Sequence, residues 1–183
     1  MVAKCKFPKE ASRRIESKIA EKWNIQKNFD YFDNSKVIRR KQTNWKPPIT
    51  TQFKLNLDGT TRGGKVVVGS VLRDDDGEVL LLYSGNIGRG KNNMFEAIAL
   101  LWGLQVIKDM QIKDITIEGD SKIIIDMVKG VSQLSWTIQT IITNIRQLLE
   151  GLERFELQHI YREGNAVAGV IATIGFDLNE KTY

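Results

Sequence analysis

Three carboxylates in this chain lie beside apolar segments, where a folded scaffold could hold them rigidly. Asp58 lies in "FKLNLDGTTRGG", Glu96 in "NNMFEAIALLWGL", and Asp120 at the end of "DITIEGD". Carboxylates that pack together repel one another and lose their charge unless cations neutralise them, so a cluster of these three would imply metal. Oxygen ligands without His or Cys favour Mg²⁺ or Mn²⁺, and hard cations of this kind suit phosphoryl chemistry.

Each acid taken alone also has an ordinary structural explanation. Asp58 could be a turn residue, Glu96 a favourable charge near a helix N-terminus, and Asp120 a capping group. The metal hypothesis therefore depends on the elements that position all three.

The first half of the predicted domain is a meander of three antiparallel strands. The segment from Phe53 to Leu57 alternates apolar and polar residues, which predicts a half-buried strand with Asp58 at its end. Glycines of the same stretch predict the turn that follows: Gly59, Gly63 and Gly64. Residues 65–74 and 78–87 are rich in β-branched and aliphatic residues and predict two more strands, joined by a "DDDG" hairpin turn.

The second half alternates helices with strands. A helix is predicted over residues 92–112, capped by Asn92 or Asn93, with an apolar face at Phe95, Ala99, Trp102 and Val106. A short strand ends at Asp120, and Ser121 is predicted to cap the helix over 122–130. A helix over 135–152, a strand over 155–163 and a helix over 165–176 follow. This order predicts an α/β fold with one mixed five-stranded sheet, three antiparallel strands then two parallel ones, flanked by helices.

The N-terminal part of the chain is strongly basic. The whole chain has a formal charge of +5, whereas residues 1–46 alone carry 13 Lys or Arg against 5 Asp or Glu. We therefore predict a basic extension over 1–44, with an amphipathic helix within 9–29 and a linker reaching to Pro48, before a domain over 45–183. The extension could attract polyanions or be a solvated leader.

Composition also limits the setting of the protein. No apolar run is long enough for a membrane span, the charged N-terminus lacks a secretory pattern, and Cys5 is the only cysteine. We expect an intracellular monomer, in the nucleus or cytoplasm, without a disulfide. No protein partner is visible in the sequence.

Five motifs in order resemble a known family. "KLNLDG", "GSVLRDDDGEVL", "FEAIALLWGL", "ITIEGDSKIIIDMV" and "HIYREGNAVAGVIATIG" are similar to the plant ribonuclease H-like domains associated with non-LTR retroelement reverse transcriptases. The resemblance implies a ribonuclease H fold, cleavage of the RNA strand of RNA–DNA hybrids, two Mg²⁺ (or Mn²⁺) ions and four acidic ligands. Asp58, Glu96 and Asp120 match the first three ligands.

The fourth acidic position does not match the family pattern. Gly169 stands where the last helix of the family carries aspartate, so we expect the second metal site to be weak and the hydrolysis to be attenuated. Nearby acids are poor substitutes because none is at the matching position: Asp126, Glu163 and Asp177. The alternative is an inactive module that binds nucleic acid or protein.

Seven polar residues near these motifs are candidates for nucleic-acid contact. They are Thr60, Thr61, Arg62, Arg89, Lys91, Arg162 and Asn165. The two threonines and Arg62 could touch the hybrid backbone or 2′-hydroxyls, or could be ordinary hairpin residues. Arg162 and Asn165 could contact a phosphate or order the junction between strand and helix. His159, the single histidine, is expected to be structural.

The stretch "GNIGRGKN", residues 85–92, also satisfies the G-x-x-x-x-G-K pattern of phosphate-binding loops. Asn92 stands where Ser or Thr should bind Mg²⁺, and the strands before it predict a meander instead of a parallel βαβ core. We therefore expect its glycines to serve the crossing from strand to helix, with Arg89 and Lys91 near a nucleic-acid backbone.

Deleting residues 1–44 tests the role of the basic extension. We expect weaker hybrid binding and a flatter dependence of log affinity on log salt, because fewer counterions are released. Binding titrations between low and moderate salt measure both quantities. Equal slopes with and without the extension would reject a contribution to binding.

Overall fold

The computed structural model describes residues 45–48, 52–89, 92–133 and 136–176. The predicted basic helix, most of the linker, Lys91 and Asp177 lie outside these residues. Within the described part of the chain, the strands are β1 Phe53–Arg62, β2 Lys65–Arg73, β3 Val79–Gly88, β4 Asp114–Gly119 and β5 Arg154–His159, and the helices are α1 Asn92–Asp109, α2 Lys122–Val128, α3 Gln139–Glu150 and α4 Ala166–Ile174. None of these helices is long and apolar enough to cross a membrane.

The strands form one mixed sheet, as predicted. Their order is β3-β2-β1-β4-β5. β1 pairs antiparallel with β2, and β2 antiparallel with β3, whereas the pairs β1–β4 and β4–β5 are parallel. The predicted meander and the two later parallel strands are confirmed, and β1 lies at the centre of the sheet.

β1 is longer than the prediction because Gly59 is part of the strand and not of the turn. The antiparallel ladder with β2 continues to the pair Arg62–Lys65, and the turn consists of Gly63 and Gly64, both with positive φ. The parallel ladder with β4 stops earlier, at the pair Leu57–Gly119. Asp58 therefore lies inside a strand, but at the point where its parallel neighbour ends.

Helices cover both faces of β1. On one face α1 packs so closely that a Cβ on Gly103 would lie 2.7 Å from Cδ2 of Leu55. On the opposite face α4 crosses β1 and β2, with its backbone against Gly69. Lys54 and Asn56 are consequently 6% and 1% exposed. The sequence predicts a half-buried β1, whereas residues on both faces of the strand are buried, because the last helix returns to cover the second face.

Several boundaries also differ from the predictions. Ser121 precedes α2, but its side chain makes no capping hydrogen bond. α1 begins at Asn92, so Asn92 and Asn93 lie within the helix. α3 begins at Gln139, four residues later than predicted, and β5 ends at His159 instead of Glu163.

The segment before β1 packs on the domain from Trp45 onward. The Trp45 indole N–H donates to Oδ1 of Asn56 at 2.8 Å, and its ring lies 4.6 Å from the Arg73 guanidinium carbon. Pro48 is buried. Residues 45–48 are therefore not a free linker, because the Trp45 side chain and the Lys46 carbonyl oxygen contact polar side chains of β1.

Replacing Gly69 with alanine tests the close approach of α4. An added Cβ would lie 2.1 Å from the backbone nitrogen of Ala172, so strand and helix must separate. We expect the free energy of unfolding to fall by roughly 3 kcal/mol or more in urea denaturation.

Gly151→Ala is the matched control. Gly151 lies at the end of α3 with φ −79°, and its added Cβ would be 3.3 Å from the Leu148 carbonyl oxygen. We expect a change below about 1 kcal/mol. Similar losses in the two variants would contradict the close contact between α4 and β2.

Candidate metal centre

Asp58 and Asp120 meet because β1 and β4 run side by side. Leu57 and Gly119 are paired in the parallel ladder, and each acid is the next residue along its chain. Carboxyl ends of adjacent parallel strands lie at the same edge of a sheet, so the two side chains extend into one space. The parallel pairing of β1 with β4 therefore brings together two of the three acids of the predicted cluster.

Glu96 approaches from α1 on the other face of β1. Gly59 allows this approach, because a Cβ there would lie 3.3 Å from Cβ of Phe95 and 3.6 Å from Cδ of Glu96. Any larger residue at position 59 would push the first turns of α1 away from the strand. Gly59 thus brings the third acid toward Asp58.

The three acids form one cluster. One carboxylate oxygen from each of Asp58, Glu96 and Asp120 lies within 4.8 Å of the other two. Arg162, beyond the end of β5, places Nε 3.4 Å from Oδ2 of Asp120. Its side chain is 88% exposed, so this single cation is held in high dielectric and leaves the negative charge of the cluster largely uncompensated.

The protein environment favours the protonated form of two of these acids. Burial, followed by the negative charge of Asp120, raises the pKa of Asp58 from 3.8 to about 7. Burial, followed by the charges of Asp58 and Asp120, raises the pKa of Glu96 from 4.5 to about 8. The charge of Arg162 and the backbone N–H of Gly59 lower both pKa values, but by less. Ionisation of the cluster near neutral pH therefore calls for another positive charge.

Two oxygens of the cluster fit a divalent cation. Oε2 of Glu96 and Oδ1 of Asp120 are buried without a hydrogen-bond partner among the described residues. A buried oxygen without a partner is costly, and coordination to a hard cation would satisfy it. An all-carboxylate donor set is the kind that Mg²⁺ and Mn²⁺ prefer.

Gly169 lies directly beside the cluster. A Cβ on Gly169 would be 3.1 Å from Oδ2 of Asp58, so the first turns of α4 face this carboxylate. A side chain at position 169 would therefore reach the acidic centre. The glycine leaves the cluster with three carboxylates where the sequence resemblance implies four.

The acids considered as substitutes for the fourth ligand are not part of the cluster. Asp126 pairs with Lys122 at 2.5 Å along α2. Glu163 is exposed, and Asp177 lies outside the described residues. Among the described residues, the acidic group consists of three members only.

The predicted nucleic-acid contacts Thr60, Thr61 and Arg62 follow Asp58 along β1, toward the β1–β2 hairpin. Thr60 is half-buried, and Thr61 and Arg62 are exposed near the tip of the β1–β2 hairpin. The ladder also brings Gly88 opposite Val66, so the exposed Arg89 follows at the same end. The Arg62 guanidinium lies 4.9 Å from the ring of Phe176. Their roles in binding stay predictions.

Asn165 and His159 make contacts within the protein. Asn165 is 3% exposed and donates from Nδ2 to the Leu57 carbonyl oxygen at 2.8 Å. This favours ordering of the junction over phosphate contact. The exposed ring of His159 packs edge-on against the exposed ring of Tyr161, with centroids 5.2 Å apart, and its structural role stays a prediction.

The residues of the phosphate-loop pattern do not form such a loop in the described part of the chain. Gly85 to Gly88 belong to β3, which is antiparallel to β2. A Cβ on Gly85 would lie 2.6 Å from the Trp102 ring, so the glycine leaves room for this side chain of α1. Gly85 thus serves the packing of strand and helix, whereas a Cβ on Gly88 would meet nothing within 4 Å.

Sequence reasoning missed a buried polar cluster next to the acids. Lys54, Asn56 and Glu118 are each at most 6% exposed, and Lys54 Nζ lies 2.8 Å from Oε1 of Glu118. The available signal was Glu118, the first acid of "IEGD", two residues before Asp120. A charged residue inside an apolar strand indicates a buried partner.

The sheet order, the flanking helices and the acidic edge define the class of protein as ribonuclease H-like. A ribonuclease H1 structure from Halobacterium salinarum superimposes with a TM-score of 0.65 at 28% identity, covering 69% of this chain and 98% of that one. LC11-RNase H1, solved in complex with an RNA/DNA hybrid, gives a TM-score of 0.63 at 25% identity, covering 68% and 96%.

Residues 56–175 match the family described as reverse transcriptase-like, and the chain belongs to this family. It is 30% identical over 138 residues to a putative ribonuclease H protein of Arabidopsis thaliana, and 30% identical over 124 residues to ribonuclease HI of Halobacterium salinarum. These matches cover 74% and 66% of this chain. The chain spans 22% of the Arabidopsis protein and 62% of the Halobacterium protein.

The raised pKa values predict how stability depends on pH without metal. Folded Asp58 and Glu96 have pKa values of about 7 and 8, above their ordinary values of 3.8 and 4.5. The folded state then binds more protons than the unfolded state between about pH 4 and pH 8, so stability falls as pH rises through this window. We expect the Tm in EDTA to decrease over that range.

Thermal unfolding of Glu96→Gln provides the control. This variant cannot ionise at position 96, so its Tm in EDTA should fall less steeply with pH. Added Mn²⁺ should raise the Tm of the natural chain at pH 8 more than that of the variant. An equal decrease of Tm with pH in both proteins would show that ionisation of Glu96 does not destabilise the folded state.

Proposed function

We propose that this chain is a metal-dependent nuclease domain that hydrolyses the RNA strand of RNA–DNA hybrids, with activity weakened by Gly169. The observation that carries the proposal is the convergence of Asp58, Glu96 and Asp120, with two buried oxygens left without partners. Similarity to ribonucleases H from two organisms supports this reaction class. The hybrid bound by LC11-RNase H1 supports the substrate.

The chain's own residues have separable roles in this proposal. Asp58 and Asp120, fixed by adjacent strands, and Glu96, held through the contact at Gly59, would hold Mg²⁺ or Mn²⁺. A bound divalent cation would activate water and neutralise charge on the phosphate under attack. The weak, exposed ion pair of Arg162 with Asp120 leaves the guanidinium available to a backbone phosphate.

Gly169 motivates the expected attenuation. A fourth carboxylate from α4 would help to hold a second cation, and the described residues offer no replacement in the cluster. With three acids, we infer one firm site and one weak site, so two-metal stabilisation of attacking and leaving oxygens is incomplete. The origin of the domain from a plant retroelement and its intracellular location are part of the same proposal.

The second candidate is an inactive module that retains the fold and binds nucleic acid. It is favoured by the same glycine, because α4 is otherwise in place beside Asp58. Under this alternative the chain binds hybrid without cleaving it.

Cleavage of a labelled hybrid in Mg²⁺ and in Mn²⁺ tests the proposal with three variants. We expect weak cleavage by the natural chain and a loss of about 100-fold or more in Asp58→Asn, because one ligand is neutralised. Gly169→Asp should increase cleavage about 10-fold or more, because a second cation is then held.

Gly169→Asn is the matched control, with the size of aspartate but no charge. The added Cβ must displace Asp58 Oδ2 by a few tenths of an ångström in both variants, so their difference isolates the carboxylate. Cleavage that persists in Asp58→Asn would reject this active site. Binding without cleavage by both the natural chain and Gly169→Asp would favour the inactive module.

A further inference from the structure

A second polar cluster lies beneath the acidic centre, on the face of the sheet that α4 covers. It joins β1, β4 and the start of α4 through Asn56, Glu118 and Asn165, which are 1%, 6% and 3% exposed. The acids of the candidate metal centre make no hydrogen bond to it. The proposed function gives these buried groups no role.

Asn56 is the hub of this cluster. Its Nδ2 donates to Oε2 of Glu118 at 2.8 Å and to Oδ1 of Asn165 at 3.4 Å. Its Oδ1 accepts from the Trp45 indole N–H at 2.8 Å and from Nη1 of Arg73 at 3.3 Å. Both donors and both acceptor sites of the amide are therefore used, which fixes its orientation.

Each of the three linked residues precedes a residue in or beside the metal centre by one repeat of its strand or helix. Asn56 precedes Asp58 by two residues on β1, and Glu118, in β4, precedes by two residues Asp120, which directly follows that strand. Residues two apart on a strand share a face and lie roughly 7 Å apart.

The third element repeats the same relation. Asn165 precedes Gly169 by four residues, which is about one helical turn, and the Gly169 N–H donates to the Asn165 carbonyl oxygen at 3.3 Å. The cluster members therefore precede Asp58, Asp120 and Gly169 by one repeat of strand or helix, whereas Glu96 has no counterpart in the cluster.

Asn165 makes the most direct connection to the acids. Its Nδ2 donates to the carbonyl oxygen of Leu57 at 2.8 Å, and Leu57 immediately precedes Asp58. This bond ties the start of α4 to β1 at Leu57, in the last pair of the ladder with β4. The bond therefore fixes the position of the backbone at Asp58. It also fixes the distance between Asp58 and Gly169.

Glu118 fixes the other strand. Its two carboxylate oxygens accept from Lys54 Nζ and from Asn56 Nδ2, both at 2.8 Å. Lys54 also donates to the Lys46 carbonyl oxygen. A buried network with its partners in place is rigid, and removing one member leaves the others unsatisfied.

We propose that Asn56, Glu118 and Asn165 are positioning residues that hold Asp58, Asp120 and the first turns of α4 in the geometry needed to bind a divalent cation. This inference rests on the metal site of the proposed function, but not on its catalytic activity. A purely structural cluster would contribute to the stability of the domain alone. A positioning cluster also sets metal affinity, since it controls the separation of the acids.

Mn²⁺ binding to Asn165→Ala separates these two roles. The substitution removes the bond to the Leu57 carbonyl and retains all three acids. We expect Mn²⁺ affinity, measured by the electron paramagnetic resonance signal of free Mn²⁺, to fall about 10-fold or more. In the cleavage assay we expect kcat to fall by a similar factor with KM for the hybrid within about twofold, because the substrate contacts are unchanged.

Ile145→Val is the control for a general loss of stability. Ile145 is fully buried in α3, in the core on the opposite face of the sheet, and the change costs about 1 kcal/mol. We expect a lower Tm with Mn²⁺ affinity equal to that of the natural chain. If Asn165→Ala does not fold, Asn165→Ser is the second variant. It also removes the amide, but it places a polar hydroxyl in the buried cluster where alanine would place a methyl group. The same loss of Mn²⁺ affinity is expected.

The outcomes distinguish this inference from the proposed nuclease activity. Unchanged Mn²⁺ affinity in the folded Asn165 variant, with only a lower Tm, would overturn the positioning role. Absence of Mn²⁺ binding by the natural chain would overturn it as well. Mn²⁺ binding that weakens in the variant supports positioning, even where the natural chain cleaves no hybrid and the nuclease proposal fails.

Discussion

The parallel pairing of β1 with β4 is the constraint on which the acidic centre depends. The ladder ends at Leu57 and Gly119, and the next residue on each strand is an aspartate. Because side chains alternate between the faces of a sheet, a shift of register by one residue would send the two carboxylates to opposite faces. Leu55 and Leu57 are 0% and 4% exposed, and such a shift would bring the polar Lys54 and Asn56 into their place in the core, so hydrophobic burial fixes the register that brings the acids together.

The acidic centre works against the stability of the fold that holds it. Asp58 and Glu96 both have pKa values well above their ordinary range, because burial and mutual repulsion disfavour their charged forms. Gly59 increases this repulsion by allowing α1 to lie close to β1. Local choices that cost stability are found at functional sites, and a divalent cation would turn the same arrangement into a favourable one.

At Gly169 the fold is complete, but the position carries no carboxylate. α4 crosses β1 and β2 with its backbone against Gly69, and Asn165 ties its start to Leu57. The helix is therefore held in position by contacts that do not involve residue 169. This is why a carboxylate can be absent there without displacing the helix, and why position 169 still lies within 3.1 Å of Asp58 when a Cβ is added.

The sequence by itself determined the order of strands and helices, the three acids and the exceptional glycine, because alternation, turn glycines and motif order are local properties. Only the tertiary structure decided that Lys54 and Asn56 are buried, that β1 continues through Gly59, and that Ser121 leaves its helix uncapped. Asn56 shows the physical reason. The alternation of apolar and polar residues in β1 alone predicts a second face in solvent, but Asn165, 109 residues later and directly before α4, returns to contact Asn56. Burial of a strand's second face is set by such distant contacts, which local patterns do not contain.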